Sequence, residues 1–184
     1  MRKGPVIAIS GYSGAGKTTL SLLLAKELSA TVVSYDAYQT MTARPVSQTL
    51  DWIARGQDYS EIEAPGLVEA IEETCNSGAV AFDTPLGRAH PLTGKLIDLS
   101  VWIDCPADLA LSRKLAQIRE QQSPADFSQW LQGYLAMYQP LILPSRIAQE
   151  ARVKPLADIK LAAELTLNQS VELLLSKFAS LTRG

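Results

Sequence analysis

The segment Gly11–Thr18 is the part of the sequence whose residue types and spacing most clearly specify a chemistry. It matches G-x-x-x-x-G-K-[ST], a glycine-rich loop followed by a lysine and a hydroxyl residue. Glycine lets a backbone approach a phosphate closely, Lys17 supplies a positive charge, and the Thr18 hydroxyl suits Mg²⁺. A plain glycine turn is disfavoured because an apolar run precedes the loop and a helical pattern follows it. The predicted triphosphate-binding residues are Gly11, Tyr12, Ser13, Gly14, Ala15, Gly16, Lys17, Thr18 and Thr19.

Two acidic residues come directly after segments with a strand pattern. Asp36 follows residues 31–35 and Asp83 follows residues 79–82. Parallel strands end at the same edge of a sheet, so these carboxylates should face the bound phosphates. Asp83 is predicted to hold Mg²⁺ together with Thr18; an Asx-turn before Pro85 is the alternative. For Asp36 the alternative is a helix or turn cap.

A polar loop after Asp83 contains two further candidates. Arg88 is predicted to bind the acceptor or a phosphate, with a solvated surface charge as the alternative. His90, the only histidine of the chain, is interpreted as an ordinary loop residue.

The predicted elements alternate between strands and helices, which indicates a three-layer α/β domain with a parallel sheet. The polar, irregular residues 37–62 are expected to form a substrate-covering insertion with a short helix at 47–54. Apolar spacing between residues 124 and 150 predicts a helix that stops or kinks at Pro140 or Pro144. Strands are predicted at 6–10, 31–35, 79–82, 99–103 and 158–161, and further helices after Gly16, at 67–74, at 106–120 and from 168 onward.

Composition and charge narrow the function classes. The 184 residues predict one domain, 1–184, and their 47% hydrophobic content suffices for a core. A net charge of -2 disfavours a general nucleic-acid binder. Cys75 and Cys105 match neither a disulfide framework nor a zinc site and are predicted to be reduced, buried thiols. No apolar run is long enough for a signal-peptide core or a membrane span, so a cytoplasmic protein is expected. The sequence is compatible with a homo-oligomer.

The chemistry after phosphate binding depends on other residues. A switch GTPase is disfavoured because the chain has no N-K-x-D and its D-T-P-L-G is one residue too long for D-x-x-G. Large ATPases need longer domains and further signatures. A small kinase remains.

The residues ISGYSGAGKTTL (9–20), the aspartate after the second strand and VWIDCPADLALSRKL (101–115) together resemble the uridine kinase-like branch of the P-loop small-molecule kinases. Tyr138, Pro140 and ADIKL (157–161) are similar to the closing segment of that branch. The resemblance implies a P-loop fold with a five-stranded parallel sheet, ATP with Mg²⁺, and phosphoryl transfer to a hydroxyl of a nucleoside, such as uridine, or of another small metabolite.

The resemblance also implies roles for single residues. Asp36 matches the family's general base for the acceptor hydroxyl, and Tyr35 and Tyr38 are expected either to line the acceptor pocket or simply to pack. Arg113 and Lys114 match the start of a lid at 113–123, in which cations close over the phosphates; a solvated helix face is the alternative. The family's next Arg-Asp pair corresponds to Gln117-Ile118, so Arg119 is expected to substitute. On an ideal helix Arg113 and Arg119 lie about 120° apart and converge only if the helix ends early or the lid moves.

The sequence therefore predicts an ATP-dependent kinase with Asp36, Lys17 and Arg113 as catalytic residues. A nucleotide or cofactor-precursor kinase is the alternative enzyme. A non-catalytic nucleotide-binding regulatory module is the alternative from another class.

Overall fold

The central sheet has five parallel strands. A computed structural model of the chain describes residues 4–181. The sheet order is β2-β3-β1-β4-β5, so the strand that precedes the glycine-rich loop is central. This confirms the predicted five-stranded parallel sheet. The strands are β1 Val6–Ser10, β2 Thr31–Ser34, β3 Val80–Asp83, β4 Leu99–Asp104 and β5 Ile159–Ala162.

Helices cover both faces of the sheet. On one face β1 presents Ile7 and Ile9 to Leu20 and Leu24, and on the other Val6 and Ala8 belong to a separate core cluster. Side chains alternate across a strand, and apolar residues on both of its faces therefore require a helical layer on each side. The helices are α1 Lys17–Leu28, α2 Val46–Ala54, α3 Leu67–Ser77, α4 Ala107–Gln121, α5 Pro124–Met137, α6 Leu143–Arg152 and α7 Leu167–Leu181.

The predicted interruption near Pro140 is confirmed. Between α5 and α6 the chain forms one wider, π-helical turn at Tyr138–Ile142. Proline has no backbone N–H and its ring crowds the preceding turn, so the regular hydrogen-bond pattern cannot continue through it. Because of this wider turn, a helical wheel continued from α5 would assign the residues of α6 to the wrong face.

Residues 37–62 form a compact flap attached to α6. Trp52 is buried and its indole Nε1 donates to the Asp58 carbonyl at 2.9 Å. Arg152 of α6 donates to the carbonyl oxygens of Gly56 and Gln57, each at 2.7 Å. The segment is thus held to α6 by hydrogen bonds from the Arg152 side chain to its backbone carbonyls.

The predicted lid, residues 113–123, forms the end of α4 and its connection to α5. Its first nine residues are the later turns of α4, which ends at Gln121, and Ser123 caps α5 by accepting a hydrogen bond from Asp126 N at 3.3 Å.

No helix within residues 4–181 is long and apolar enough to cross a membrane. Cys75 and Cys105 are free and buried, as predicted.

Candidate active site

The glycine-rich loop connects β1 to α1 at the carboxyl edge of the sheet. Gly11, Gly14 and Gly16 have φ angles of 155°, 84° and 97°, which a glycine adopts most easily. The Lys17 Nζ atom donates to the Tyr12 carbonyl at 3.2 Å. Desolvation lowers the pKa of Lys17, and the charges of Asp83 and Asp36 oppose that effect. The loop thus holds a desolvated ammonium group where phosphates would bind.

Gly14 is also fixed by its neighbours, because a Cβ atom there would overlap the carbonyl oxygen of Ala110 on α4. We expect Gly14→Ala to lower the free energy of unfolding by more than the roughly 1 kcal/mol that a positive φ costs an L-residue. Gly56→Ala is the matched control, since its φ is 99° and a Cβ atom there would meet nothing within 4 Å. Urea unfolding of the ligand-free variants measures the loss of unfolding free energy in Gly14→Ala and in Gly56→Ala. Equal losses would show that the loop does not need this close approach to α4.

Thr18 and Asp83 are joined directly. The Thr18 hydroxyl donates to Asp83 Oδ2 at 2.6 Å. Asp83 is in register with Ile9 of β1 and Ser34 of β2, so it lies at the strand end beside the loop. Desolvation raises the pKa of Asp83, while the Thr18 hydroxyl and the charge of Lys17 partly offset the rise. A hydroxyl and a carboxylate are hard oxygen ligands, and this pair fits Mg²⁺.

Asp36 is exposed in a 3₁₀ turn, Tyr35–Ala37, immediately after β2. Its charge interacts electrostatically with both Lys17 and Asp83. The structure therefore brings Asp36, Lys17, Thr18 and Asp83 to one edge of the sheet. This is the geometry that the strand-end argument predicts.

A cavity of about 380 Å³ lies under the flap and extends to the segment after β3. Its lining is mainly aromatic and aliphatic. Among the described residues that line it, Arg44 is the single cation, and its guanidinium donates to the Glu61 carbonyl at 3.0 Å. The apolar lining residues include Tyr35, Met41, Trp52, Tyr59, Leu86 and Leu141.

A second cavity, of about 300 Å³, lies on the other side of the loop between α4 and the segment after β5. Arg113 lines it together with Gly16, Thr19 and Cys105, and its Nη1 donates to Cys105 Sγ at 3.7 Å. Ala163 and Leu165 form the opposite wall. Arg113 thus lies beside this flanking cavity.

The other predicted lid cations differ in position. Lys114 lies close to the loop: its Cβ would be 3.2 Å from a Cβ at Gly14, and its charge lowers the pKa of Lys17. Arg119 is exposed in the last turn of α4. Five residues of helix separate them, or about 7.5 Å along the axis. Of these two cations, Lys114 is therefore the one that approaches the loop.

The structure corrects the prediction that Arg88 binds the acceptor. Its guanidinium donates to the carbonyl oxygens of Ile97 and Asp98 and to the Asp158 carboxylate at 2.6 Å. These partners precede β4 and β5, at the amino edge of a parallel sheet, whereas the glycine-rich loop follows the carboxyl end of β1. Strands advance about 3.3 Å per residue, so the Arg88 guanidinium is on the order of 13 Å from the loop. Arg88 therefore connects the amino ends of β4 and β5.

The structure also shows the surroundings of Tyr35, Tyr38 and His90. Tyr35 lines the flap cavity, whereas Tyr38 is not among its described lining residues and packs beside Gly66. This contact agrees with the packing alternative for Tyr38, and its substrate-binding role stays a prediction. His90 is buried, with its ring nitrogens 3.0 Å from Thr93 Oγ1 and 3.2 Å from the Ile62 carbonyl, which agrees with a structural loop residue.

Sequence reasoning missed Trp52, which lines the flap cavity, and Arg146, whose guanidinium lies over the Tyr12 ring of the phosphate loop. Trp52 lies on an amphipathic helix, whose pattern indicates burial but not what the buried face lines. Arg146 follows the wider helical turn, where helical phase is lost. No sequence pattern marks either residue.

Comparisons with known proteins agree with this architecture. No family model matches the chain, and no curated protein sequence matches it. Solved structures do: a gluconokinase from Sinorhizobium meliloti has 15% identity and a TM-score of 0.52, with 98% of this chain and 95% of that chain covered. A shikimate kinase from Aquifex aeolicus has 18% identity and a TM-score of 0.52, with 97% and 99% covered. A putative fructose transport system kinase from Silicibacter has 17% identity and a TM-score of 0.55, with 87% and 90% covered.

These likenesses extend over nearly the whole chain. Together with the parallel five-stranded sheet and the loop geometry, they establish the P-loop kinase fold. The three structures named above are kinases by name, and the uridine kinase-like branch is not singled out among them.

Proposed function

We propose that this protein is an ATP-dependent phosphotransferase that phosphorylates a hydroxyl of a ring-bearing small molecule, with a nucleoside such as uridine as the acceptor class. The observation that carries the proposal is the position of Lys17, Thr18, Asp83 and Asp36 at one sheet edge, between two cavities. One cavity lies between α4 and the segment after β5, and the other lies under the flap.

The nucleotide is proposed to lie across the loop. Backbone N–H groups of the loop hold its phosphates, and Lys17 contacts the β- and γ-phosphates. The base occupies the 300 Å³ cavity, where the planar guanidinium of Arg113 can stack on it. Lys114 adds positive charge beside the loop. Mg²⁺ would be held by Thr18 and, through water, by Asp83, where it would neutralise phosphate charge.

The acceptor hydroxyl is proposed to approach the γ-phosphate from the flap cavity. Asp36 accepts the proton of that hydroxyl as its oxygen forms a bond to the γ-phosphorus. The bond from that phosphorus to the β–γ bridging oxygen breaks, which leaves ADP and a phosphomonoester. Catalysis is mostly positioning and electrostatics, because the reaction needs no covalent intermediate with the protein.

The lining of the flap cavity supports a ring-bearing acceptor. Tyr35, Trp52 and Tyr59 offer flat apolar surfaces, which suit a heterocycle. A sugar acid would require a cation and several hydrogen-bond donors to replace its hydration. Arg44, the lining cation, already donates to a backbone carbonyl. The cavity therefore favours a nucleoside over the acceptors named in the gluconokinase and shikimate kinase structures.

An acceptor panel tests the proposal. We expect a nucleoside to increase ADP release from ATP and Mg²⁺ over the acceptor-free rate, with gluconate, shikimate and fructose inactive. The panel also contains nucleoside monophosphates and hydroxylated cofactor precursors, and Lys17→Ala is the negative control.

The outcomes separate the alternatives. Stimulation by a sugar acid would contradict the ring-bearing acceptor but support phosphoryl transfer. Stimulation by a nucleotide or cofactor precursor would indicate the alternative kinase. ATP binding with no stimulation by any acceptor would favour a regulatory module, because ligand binding alone stabilises the native state in either case.

A further inference from the structure

Arg146 differs from most other arginines of the fold. Its Nε atom is buried and has no hydrogen-bond partner, and its Cζ atom lies 5.6 Å from the centroid of the Tyr12 ring. Within the described part of the chain, no carboxylate lies within 4 Å of its guanidinium nitrogens in an ion pair. By contrast, Arg55, Arg88 and Arg152 each donate to carboxylates or carbonyls. The Arg146 side chain also interacts with the Tyr12 hydroxyl, as Glu150 does. The buried Nε–H is therefore the donor left unsatisfied, and because such burial is costly, it suits a further acceptor such as a phosphate oxygen.

The surroundings of Arg146 indicate where that anion would bind. Arg146, Tyr12 and Ser13 line a cavity of about 260 Å³ directly above the phosphate loop. Tyr12 is held from below, edge-to-face against Trp102 with ring centroids 5.3 Å apart. The guanidinium is therefore held over the first residues of the loop by a rigid aromatic stack.

This cavity shares a wall with the acceptor cavity. Leu141, Ser145 and Gln149 line both cavities. Ser145 and Gln149 are four residues apart on one face of α6, the helix that carries Arg146, and Leu141 lies in the π-helical turn before it. Arg146 lines the cavity above the loop, and that cavity borders the proposed acceptor cavity along these three residues.

We infer that Arg146 contacts the transferring γ-phosphoryl group and is a catalytic residue of the phosphotransfer. This inference rests on the proposed function. A guanidinium presents planar N–H donors that match phosphoryl oxygens, and it keeps its protons throughout. It stabilises negative charge on the equatorial oxygens while the bond to ADP breaks and the bond to the acceptor oxygen forms. Arg146 thus supplies, from α6, the charge that the sequence placed at Arg113.

The test does not require the acceptor. Calorimetry compares binding of ADP and Mg²⁺ with and without fluoroaluminate, a mimic of the transferring phosphoryl group. We expect fluoroaluminate to tighten wild-type ADP binding by about 10²-fold or more, as transition-state mimics do. Arg146→Gln should lose at least about tenfold of that gain, which is the loss of one charged contact, while its affinity for ADP alone stays within a factor of about two. Arg146→Lys should keep part of the gain. Arg55→Gln, a surface arginine paired with Glu61, is the control and should keep all of it.

Each result has a distinct meaning. An unchanged gain in Arg146→Gln would overturn the role of Arg146 and leave the proposed function intact. A parallel loss of affinity for ADP alone would show that Arg146 is structural and would also overturn the inference. No fluoroaluminate gain in the wild type would contradict phosphoryl transfer itself. Thermal unfolding of the ligand-free variants verifies that each remains folded.

Discussion

Replacing Lys17 with alanine is expected to reduce acceptor-dependent ADP release by about 10³-fold in a protein that still folds, because a desolvated charge at the transferring phosphate is lost. Desolvation lowers the pKa of Lys17, so the charged ammonium is less favourable in the folded state than in the unfolded chain. Its removal should therefore not lower the melting temperature of the ligand-free protein. The stabilisation that ATP and Mg²⁺ give to the wild type should largely disappear.

Lys26→Ala is the matched control for Lys17→Ala. Lys26 is exposed in the last turn of the same helix, α1, and has no place in the proposed site. The paired measurements are steady-state ADP release and the melting temperature with and without ATP. Unchanged phosphate transfer in Lys17→Ala would contradict the assignment of the loop as the nucleotide site.

The sequence specifies the phosphate edge of the site because local rules act there. The loop motif fixes Gly11–Thr18, and the strand patterns put Asp36 and Asp83 at the ends of neighbouring parallel strands. Each inference needs only the residues on either side of one turn. The register of Asp83 with Ile9 and Ser34 is the three-dimensional form of that pattern.

The positions of the arginines could not be predicted in the same way, because they depend on the path of longer connections between elements. The chain after Asp83 must return from the carboxyl edge of β3 to the amino edge of β4, and sequence does not show where along that path Arg88 lies. Similarly, the wider turn at Tyr138–Ile142 shifts the helical phase, so the direction of Arg146 cannot be read from α5. Arg113 lies in a correctly predicted helix. However, the tertiary packing of α4 decides whether it faces the phosphates or the cavity between α4 and the segment after β5.

Asp36→Asn is expected to lower acceptor-dependent turnover by about 10² to 10⁴-fold, the usual range for loss of a general base. Asparagine keeps the size and most hydrogen bonds of the side chain but cannot accept the hydroxyl proton. ATP affinity should remain within a few-fold. Because Asp36 places negative charge near Lys17, its neutralisation removes a charge that would repel the phosphates, so any change in ATP affinity should be toward tighter binding.

Asp51→Asn is the matched control for Asp36→Asn, since Asp51 is an exposed aspartate on α2 that does not line the acceptor cavity. Turnover with the identified acceptor and ATP binding by calorimetry are measured on both variants. Full turnover in Asp36→Asn would remove the general base from the mechanism and leave positioning and charge to drive transfer. Abolished ATP binding would instead place Asp36 among the groups that organise the nucleotide, because a residue that acts only on the acceptor hydroxyl would affect ATP through charge repulsion alone, and its neutralisation would not weaken ATP binding.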